Sequence, residues 1–417
     1  MKKIILILLL PIQLVFGQNQ VSLDNCYEWA RENYPILKQA EIWKEISSTN
    51  KENIKTNFFP KVTLNAQATY QSDVTGIEIP LPDISIPTVS KDQYKAYAEF
   101  KQTIWDGGIS AINSKLEDAV LKSNLSQLEV ELYKLKEQVS QAFFTTLVVE
   151  KQKEVLLAQK EVLNEKLKFI ESGVKNGVLE KSDALIIKAE ILNLEQNEIQ
   201  LDAGKNSAIE MLSILTGKTI SKESEFKYNN PATSINANLN RPEFQLFENQ
   251  SGQLETQMEL LDKTRNPKFF GFGQAGYDKP GLNMLSNEFD TYYLVGVGIS
   301  WNAFDWKNTL RKKQGIKLQQ QLIKTQEETF TQNIQIFLVQ QKEQINKLEK
   351  LVENDQQLIS LRTEIAKAAA SKLENETITS SDYIQELQAE TVAKLNFEIH
   401  KIQLNEAHEK HKIIQGK

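Results

Sequence analysis

Few residues in this chain are of a type and spacing suited to chemistry. Its three histidines, His400, His408 and His411, all stand late in the sequence. His408 and His411 are three apart and share a helical face, but no third ligand stands near enough to complete a zinc-type site. The lone Cys26 excludes an internal disulfide and reads as a small packed residue. Four aspartates are notable for where they fall. Asp106 and Asp305 each follow an alternating segment and an aromatic residue, at what reads as a strand-to-helix corner. Asp183 and Asp382 fall in the first turn of a helix that follows a sharp turn. A carboxylate in such a place either caps orphan N–H groups or lines an opening. Thr379 and Asp382 also have capping-box spacing. No nucleophile elbow, phosphate-binding glycine loop or paired-carboxylate signature occurs. The reading is of a protein that is not an enzyme and needs no cofactor.

The elements that position these aspartates are duplicated. Asp106 and Asp305 are 199 residues apart, and so are Asp183 and Asp382 (305 − 106 and 382 − 183). Pro60 and Pro267 open the two alternating regions at an offset of 207. The first copy therefore carries eight more residues (207 − 199) between its proline and its corner. Each copy reads helix, strand, loop, strand, very long helix, turn, helix.

The strands are set by a period of two. Val62, Leu64, Ala66, Ala68 and Tyr70 form one apolar face, as do Tyr94, Ala96, Ala98 and Phe100, and again Tyr293, Val295, Val297 and Ile299. The segment 268–277 is less regular, because Phe269, Phe270 and Phe272 fall on both faces. Such strands suit the edge of a soluble sandwich or a membrane barrel. Their length of about ten residues and their terminal aromatics favour the barrel. Four strands cannot close one, and open edges are not tolerated in lipid, so the strands must be shared between subunits. On the lipid face, arginine at Val295 or Val297 should be costly. Serine at Gly296 or Gly298 should be milder.

The helices follow four-three spacing. Leu128, Leu132, Leu135, Val139, Ala142, Thr146, Val149, Lys153, Leu156, Lys160, Leu163, Leu167 and Ile170 make one heptad seam. A second runs from Ile334 through Gln341, Leu348 and Asp355 to Ile359. A helix over 108–172 would extend about 100 Å. The expected organisation is a first repeat over 18–217, with strands about 61–71 and 93–104 and helices about 108–172 and 182–216. A linker over 218–240 follows. The second repeat occupies 241–417, with strands about 268–277 and 292–301 and helices about 306–373 and 380–414.

Met1-Lys2-Lys3, the apolar run Ile4 to Phe16 and Gly17 read as a cleaved secretory signal over 1–17. Removing its two lysines takes the formal charge from −6 to −8. A mildly acidic chain without a basic block is a poor nucleic-acid binder. Sparse glycine and proline, with abundant Gln, Glu, Lys, Leu and Ile, is a long-helix balance.

Amphipathic strand pairs feeding duplicated heptad helices behind a signal resemble the TolC-like outer-membrane efflux family. The most specific landmarks are the corners Ile104-Trp105-Asp106-Gly107-Gly108 and Ala303-Phe304-Asp305-Trp306-Lys307, and the turn Ser172 to Val178 with Asp183 beyond it. The resemblance implies a mainly α protein with a small membrane β part. It would be a homotrimer whose twelve-stranded barrel in outer-membrane lipid continues into a periplasmic helical tunnel. It implies a passive duct, opened at its periplasmic tip by a periplasmic adaptor and an inner-membrane pump. Asp382, Gln385 and Asp183 map to the aperture. Gly173, Val174, Gly177, Leu373 and Asn375 map to adaptor-contacting tip turns, and Asp106, Gly107, Gly108 and Asp305 to the barrel-to-tunnel corners. An Asp382 ring would raise its carboxyls' pKa by mutual repulsion. The second tip, Ser371 to Ile378, departs from the family in having no glycine. The alternative is an exported coiled-coil adaptor or structural protein without a barrel.

Overall fold

The computed structural model describes residues 20–76, 88–228, 239–284 and 286–417. The expected signal over 1–17 lies outside the described residues. In chain order the elements are β1 (Gln20–Ser22), α1 (Leu23–Asn33), α2 (Gln39–Lys55), β2 (Lys61–Tyr70) and β3 (Asp92–Trp105). Next come α3 (Ile109–Lys175), α4 (Lys181–Thr216), β4 (Glu225–Lys227), α5 (Pro242–Lys263), β5 (Lys268–Lys279) and β6 (Asp290–Ser300). Helices α6 (Asn308–Glu374) and α7 (Ser380–Gln415) close the order. The expected fold class is found: mainly α, with two strand pairs that each lead into a 67-residue helix.

Packing does not follow the repeats. One compact unit takes Lys38–Leu128 and Glu243–Thr329, and the other takes the chain up to Leu37 with Glu129–Pro242 and Phe330–Lys417. Each is built from both copies.

The first of these units holds an antiparallel sheet in the order β2-β3-β5-β6. Its register aligns the apolar positions across all four strands. Val62, Phe100, Gly273 and Val295 form one row, and Leu64, Ala98, Ala275 and Tyr293 the next. The other face carries rows such as Gln67, Lys95, Asp278 and Asp290. In a single chain the apolar face is bare, with Leu64 and Val297 each 81% exposed. A patch of this kind marks a surface meant for lipid or another chain.

The irregular strand β5 has a packing reason for its phenylalanines. Phe272 lies over Gly296 and Phe270 over Gly298, and a Cβ on either glycine would sit 2.7 or 2.5 Å from a ring carbon. The rings neighbour each other at 6.1 Å, and the Lys101 ammonium stands 4.8 Å from the Phe270 centroid. Serine at Gly296 or Gly298, expected to be milder than arginine on the lipid face, must nevertheless displace a ring. Those glycines are the floor on which two aromatic rings rest.

The second unit is helical. Val139, Phe143 and Phe144 of α3 pack with Cys26 of α1, Leu212 of α4 and Phe226 of β4, and β1 pairs in parallel with β4. Cys26 is fully buried, and burial pushes its thiol pKa up to about 12. A separate cluster joins Leu156, Leu163 and Ile170 of α3 to Ile187 of α4, Leu373 of α6 and Leu387 of α7. Burial of each such side chain contributes roughly 1.5–3 kcal/mol.

The seam of α3 is buried from Leu128 to Ile170 except at Lys153, Lys160 and Leu167. Both lysines face acidic residues of α4. Lys153 meets Asp202 at 2.6 Å, and Lys160 meets Glu195 at 3.2 Å. The seam of α6 buries Ile334, Gln341, Leu348 and Asp355, one every seven residues. Its two polar members are both satisfied. Gln341 Nε2 donates to the Ala407 carbonyl at 2.9 Å, and Asp355 Oδ2 lies 2.6 Å from His400 Nδ1.

Candidate aperture, tips and corners

The corners form where a strand must turn into a helix, and an aspartate caps each one. Asp106 accepts the N–H of Gly108 at 2.9 Å and of Ser110 at 2.6 Å. Asp305 accepts the N–H of Lys307 at 3.1 Å and of Thr309 at 2.9 Å. Each capping hydrogen bond of one corner thus recurs 199 residues on. Burial pushes the Asp106 pKa up, but the Ser110 hydroxyl and the Ser110 and Gly108 amides outweigh it and hold the carboxyl below its usual value. The Thr309 hydroxyl and amide do the same for Asp305.

The backbone of these turns is left-handed. Gly107 and Gly108 have φ of +79° and +86°, and Trp306 and Lys307 repeat the turn at +52° and +62°. Residues with a Cβ reach this region at a cost of roughly 1–2 kcal/mol each. The first corner is also packed tight: Asn266 Nδ2 donates to the Gly107 carbonyl at 2.7 Å, and a Cβ on Gly107 would lie 2.8 Å from the Asn266 Cβ.

The two tips match in the same way. Asn176, Gly177 and Val178 donate to the carbonyls of Ser172, Val174 and Gly173, and Asn375, Glu376 and Thr377 donate to those of Ser371, Leu373 and Lys372. The missing glycine of the second tip leaves its turn unchanged, because Glu376 takes a φ of +59° where Gly177 has +74°.

Among the expected contact residues, Gly177 and Asn375 are exposed, while Gly173 and Val174 are half-buried. A Cβ on Gly173 would meet Leu179 at 2.7 Å. Leu373 is only 2% exposed and sits inside the cluster of Ile170 and Ile187. It is corrected from a contact residue to a core residue that holds the turn. Sequence spacing also missed Lys166, whose ammonium meets Glu374 at 2.9 Å and stands 5.4 Å from the Tyr383 ring centroid.

Beyond each tip an aspartate ties down the helix start. Asp382 Oδ2 accepts the Thr379 hydroxyl at 2.7 Å and the Thr379 N–H at 3.0 Å, while Thr379 Oγ1 accepts the Asp382 N–H at 3.2 Å. This closes a capping box. Asp183 accepts the Glu180 N–H at 3.2 Å. The Thr379 hydroxyl, then its amide, hold the Asp382 carboxyl below the usual range, so within one chain the shift runs opposite to that expected of a ring. Asp382 and Gln385 are exposed and three apart on α7, and Asp183 is half-buried.

The histidines have structural surroundings. His400 partners Asp355, and His411 Nε2 lies 3.1 Å from Gln415 Nε2. Burial, then neighbouring His408, push the His411 pKa down. Among the described residues no group of three or more His, Cys, Asp or Glu could hold a metal ion. Among the same residues no helix is long and apolar enough to cross a membrane.

In fold and in the sequence of its first half, the chain is similar to outer-membrane channel protomers. Residues 26–218, which include the first strand pair, corner and tip, match the family model described as outer membrane efflux protein. The crystal structure of the outer membrane protein VceC from Vibrio cholerae aligns with 94% of this chain and 96% of its own at 12% identity, with a TM-score of 0.67. The Campylobacter jejuni CmeC outer membrane channel aligns over 94% and 85% at 14% identity, with a TM-score of 0.62. The open state of the Neisseria gonorrhoeae MtrE outer membrane channel aligns over 94% and 88% at 14% identity, with a TM-score of 0.65. No curated protein matches the sequence. The resemblance to outer-membrane efflux proteins is thus borne out by the sequence match over residues 26–218 and by the fold.

Proposed function

We propose that this chain is one subunit of a homotrimeric, passive exit duct of the outer membrane, serving efflux or a type I-like secretion route. The observation that carries the reading is the four-stranded sheet. It has an exposed apolar face and two unpaired edges, and each strand pair runs directly into a 67-residue helix. Open edges in lipid are too costly to persist, and three copies supply the twelve strands that close a barrel.

The tips Lys175–Val178 and Glu374–Thr377 present exposed residues suited to an adaptor, which would couple the duct to an inner-membrane pump. Asp382, with Gln385 beside it, is the candidate lining of the aperture, and Asp183 the lesser one. The surface strand loops, about Ser72 to Asp92 and Asp278 to Asp290, would face outside. Residues 77–87 of the first loop and residue 285 of the second lie outside the described residues.

Detergent-corrected light scattering of the purified protein, followed by planar-bilayer recording, tests this reading. A trimer with ohmic conductance is expected. A stable monomer with full helical content would sink it and favour a coiled-coil adaptor.

A further inference from the structure

The sheet ends in two open edges, β2 on one side and β6 on the other. The duplication specifies what covers them. Partner numbers in hairpin β2–β3 add to 162, as in Lys61 with Lys101, and those in hairpin β5–β6 add to 568, as in Lys268 with Ser300. The sequence offsets are 207 for the first strand of each pair and 199 for the second, and they convert one register into the other without remainder. The two hairpins share one register. The remaining pair, β3–β5, joins the two copies with numbers adding to 373 from Tyr94 with Lys279 to Thr103 with Phe270, after which the register shifts by one at Trp105 with Phe269. The same offsets carry β3 onto β6 and β5 onto β2.

We propose that β6 pairs antiparallel with β2 of a second copy of this chain in the register of β3–β5, so that partner numbers add to 365 (373 + 199 − 207). Val297 then lies opposite the partner subunit's Ala68, and Ser300 opposite the partner subunit's Asn65. The proposal rests on the shared-barrel reading above and adds its register.

Two further observations agree with it. The register keeps Val295, Val297 and Ile299 on the same face as the apolar residues of β2. A slip of one residue would send every side chain of a strand to the wrong face. The corners also complement each other. Within the chain, Gly107 packs on Asn266, and the Trp105 and Phe269 rings lie 5.8 Å apart. Under the same offsets these contacts become Trp306 against the partner subunit's Phe59, and Phe304 against the partner subunit's Val62. In the single chain Trp306, Phe304, Phe59 and Val62 are all large, apolar and exposed, Trp306 to 77%. Where glycine meets asparagine within a chain, tryptophan meets phenylalanine between chains.

Paired cysteines in a Cys26→Ala background test the register. Directly opposed residues have Cα atoms about 4.5–5.5 Å apart, within disulfide reach. A two-residue shift adds about 7 Å along the strand. Ala68→Cys with Val297→Cys, and separately Asn65→Cys with Ser300→Cys, should oxidise to covalent trimers on non-reducing gels. Val297→Cys with Ala66→Cys or Tyr70→Cys should give at least tenfold less. Preferred cross-linking of either shifted pair, or of none, in protein that light scattering shows to be trimeric overturns the register and leaves the shared barrel intact. A monomer in light scattering overturns both.

Discussion

Glu376 occupies the left-handed backbone position that Gly177 holds 199 residues earlier, with φ of +59° against +74° and the same three turn hydrogen bonds around it. One backbone geometry is thus made twice, once by the residue that favours it and once by a residue that resists it. Glu376→Gly should stabilise the second tip by about 1 kcal/mol. Gly177→Ala should destabilise the first by about 1–2 kcal/mol, since nothing within 4 Å of that glycine adds a clash. Hydrogen exchange at the flanking helix ends would read both changes. Equal protection in the two variants would remove the strain argument.

The sheet gives a second expectation. Val297→Arg should cost about 2–4 kcal/mol near the bilayer midplane. Gly298→Ser should cost about 1–3 kcal/mol by displacing the Phe270 ring, and Gly298→Ser with Phe270→Leu should recover most of that. The melting of heat-resistant oligomer on gels measures all three. A Gly298→Ser protein that melts like wild type would contradict the ring-on-glycine packing.

A third concerns the buried pair on the α6 seam. His400→Ala leaves the Asp355 carboxylate buried without its partner and should cost about 1–3 kcal/mol. The double change Asp355→Leu with His400→Leu should restore stability, because a well-packed apolar pair replaces a buried polar one at little cost. Thermal unfolding of the three proteins decides it. A double variant weaker than His400→Ala would count against this account.

The capping carboxylates give a pH dependence. Asp106, Asp305 and Asp382 all have folded pKa values below their ordinary value. Their stabilisation is therefore complete above about pH 4 and is lost as pH falls through the lower folded values. Melting temperature should drop as pH falls below about 4, and Asp382→Asn should lose less there than wild type.

The aperture reading is separable from capping. If Asp382 lines the throat of a trimer, Asp382→Ala should lower cation preference and weaken multivalent-cation block in single-channel recordings, and Asp183→Ala should do less. Thr379→Ala removes the cap alone, at about 0.5–2 kcal/mol, and should leave selectivity unchanged. Unchanged selectivity in Asp382→Ala would leave that residue as a cap only.

The duplication, the strand faces and the α3 seam were legible because each is a periodic signal. Leu128 to Ile170 and Val62 to Tyr70 show their burial or alternation in residue type alone. Non-local partners were not legible. Lys153 and Lys160 looked like defects in a seam until α4 placed Asp202 and Glu195 against them. Asp355 and His400 sit 45 residues apart on different helices, and only a polar residue at a heptad core position hinted that a partner was required. The glycine-free tip misled because residue type was taken as a proxy for φ. Phe270 and Phe272 misled because each ring rests on a glycine of the neighbouring strand, which residue type alone does not show. Leu373 looked like turn surface although its side chain points into the core.

The compact units draw on both copies, and this bears on how the chain matures. β3 ends at Trp105 and its partner β5 begins at Lys268, so 162 residues (105 to 268, exclusive) must be made between them. At ribosomal speeds of about 5–20 residues per second, that delay is on the order of 10–30 s. Throughout it the segment of the first hairpin is without its β5 partner and its apolar residues are uncovered, the kind of surface that recruits other nascent chains. The order of synthesis therefore creates a window of vulnerability, and a holdase that shields the first hairpin should raise the yield of assembled protein more than one that acts on the long helices.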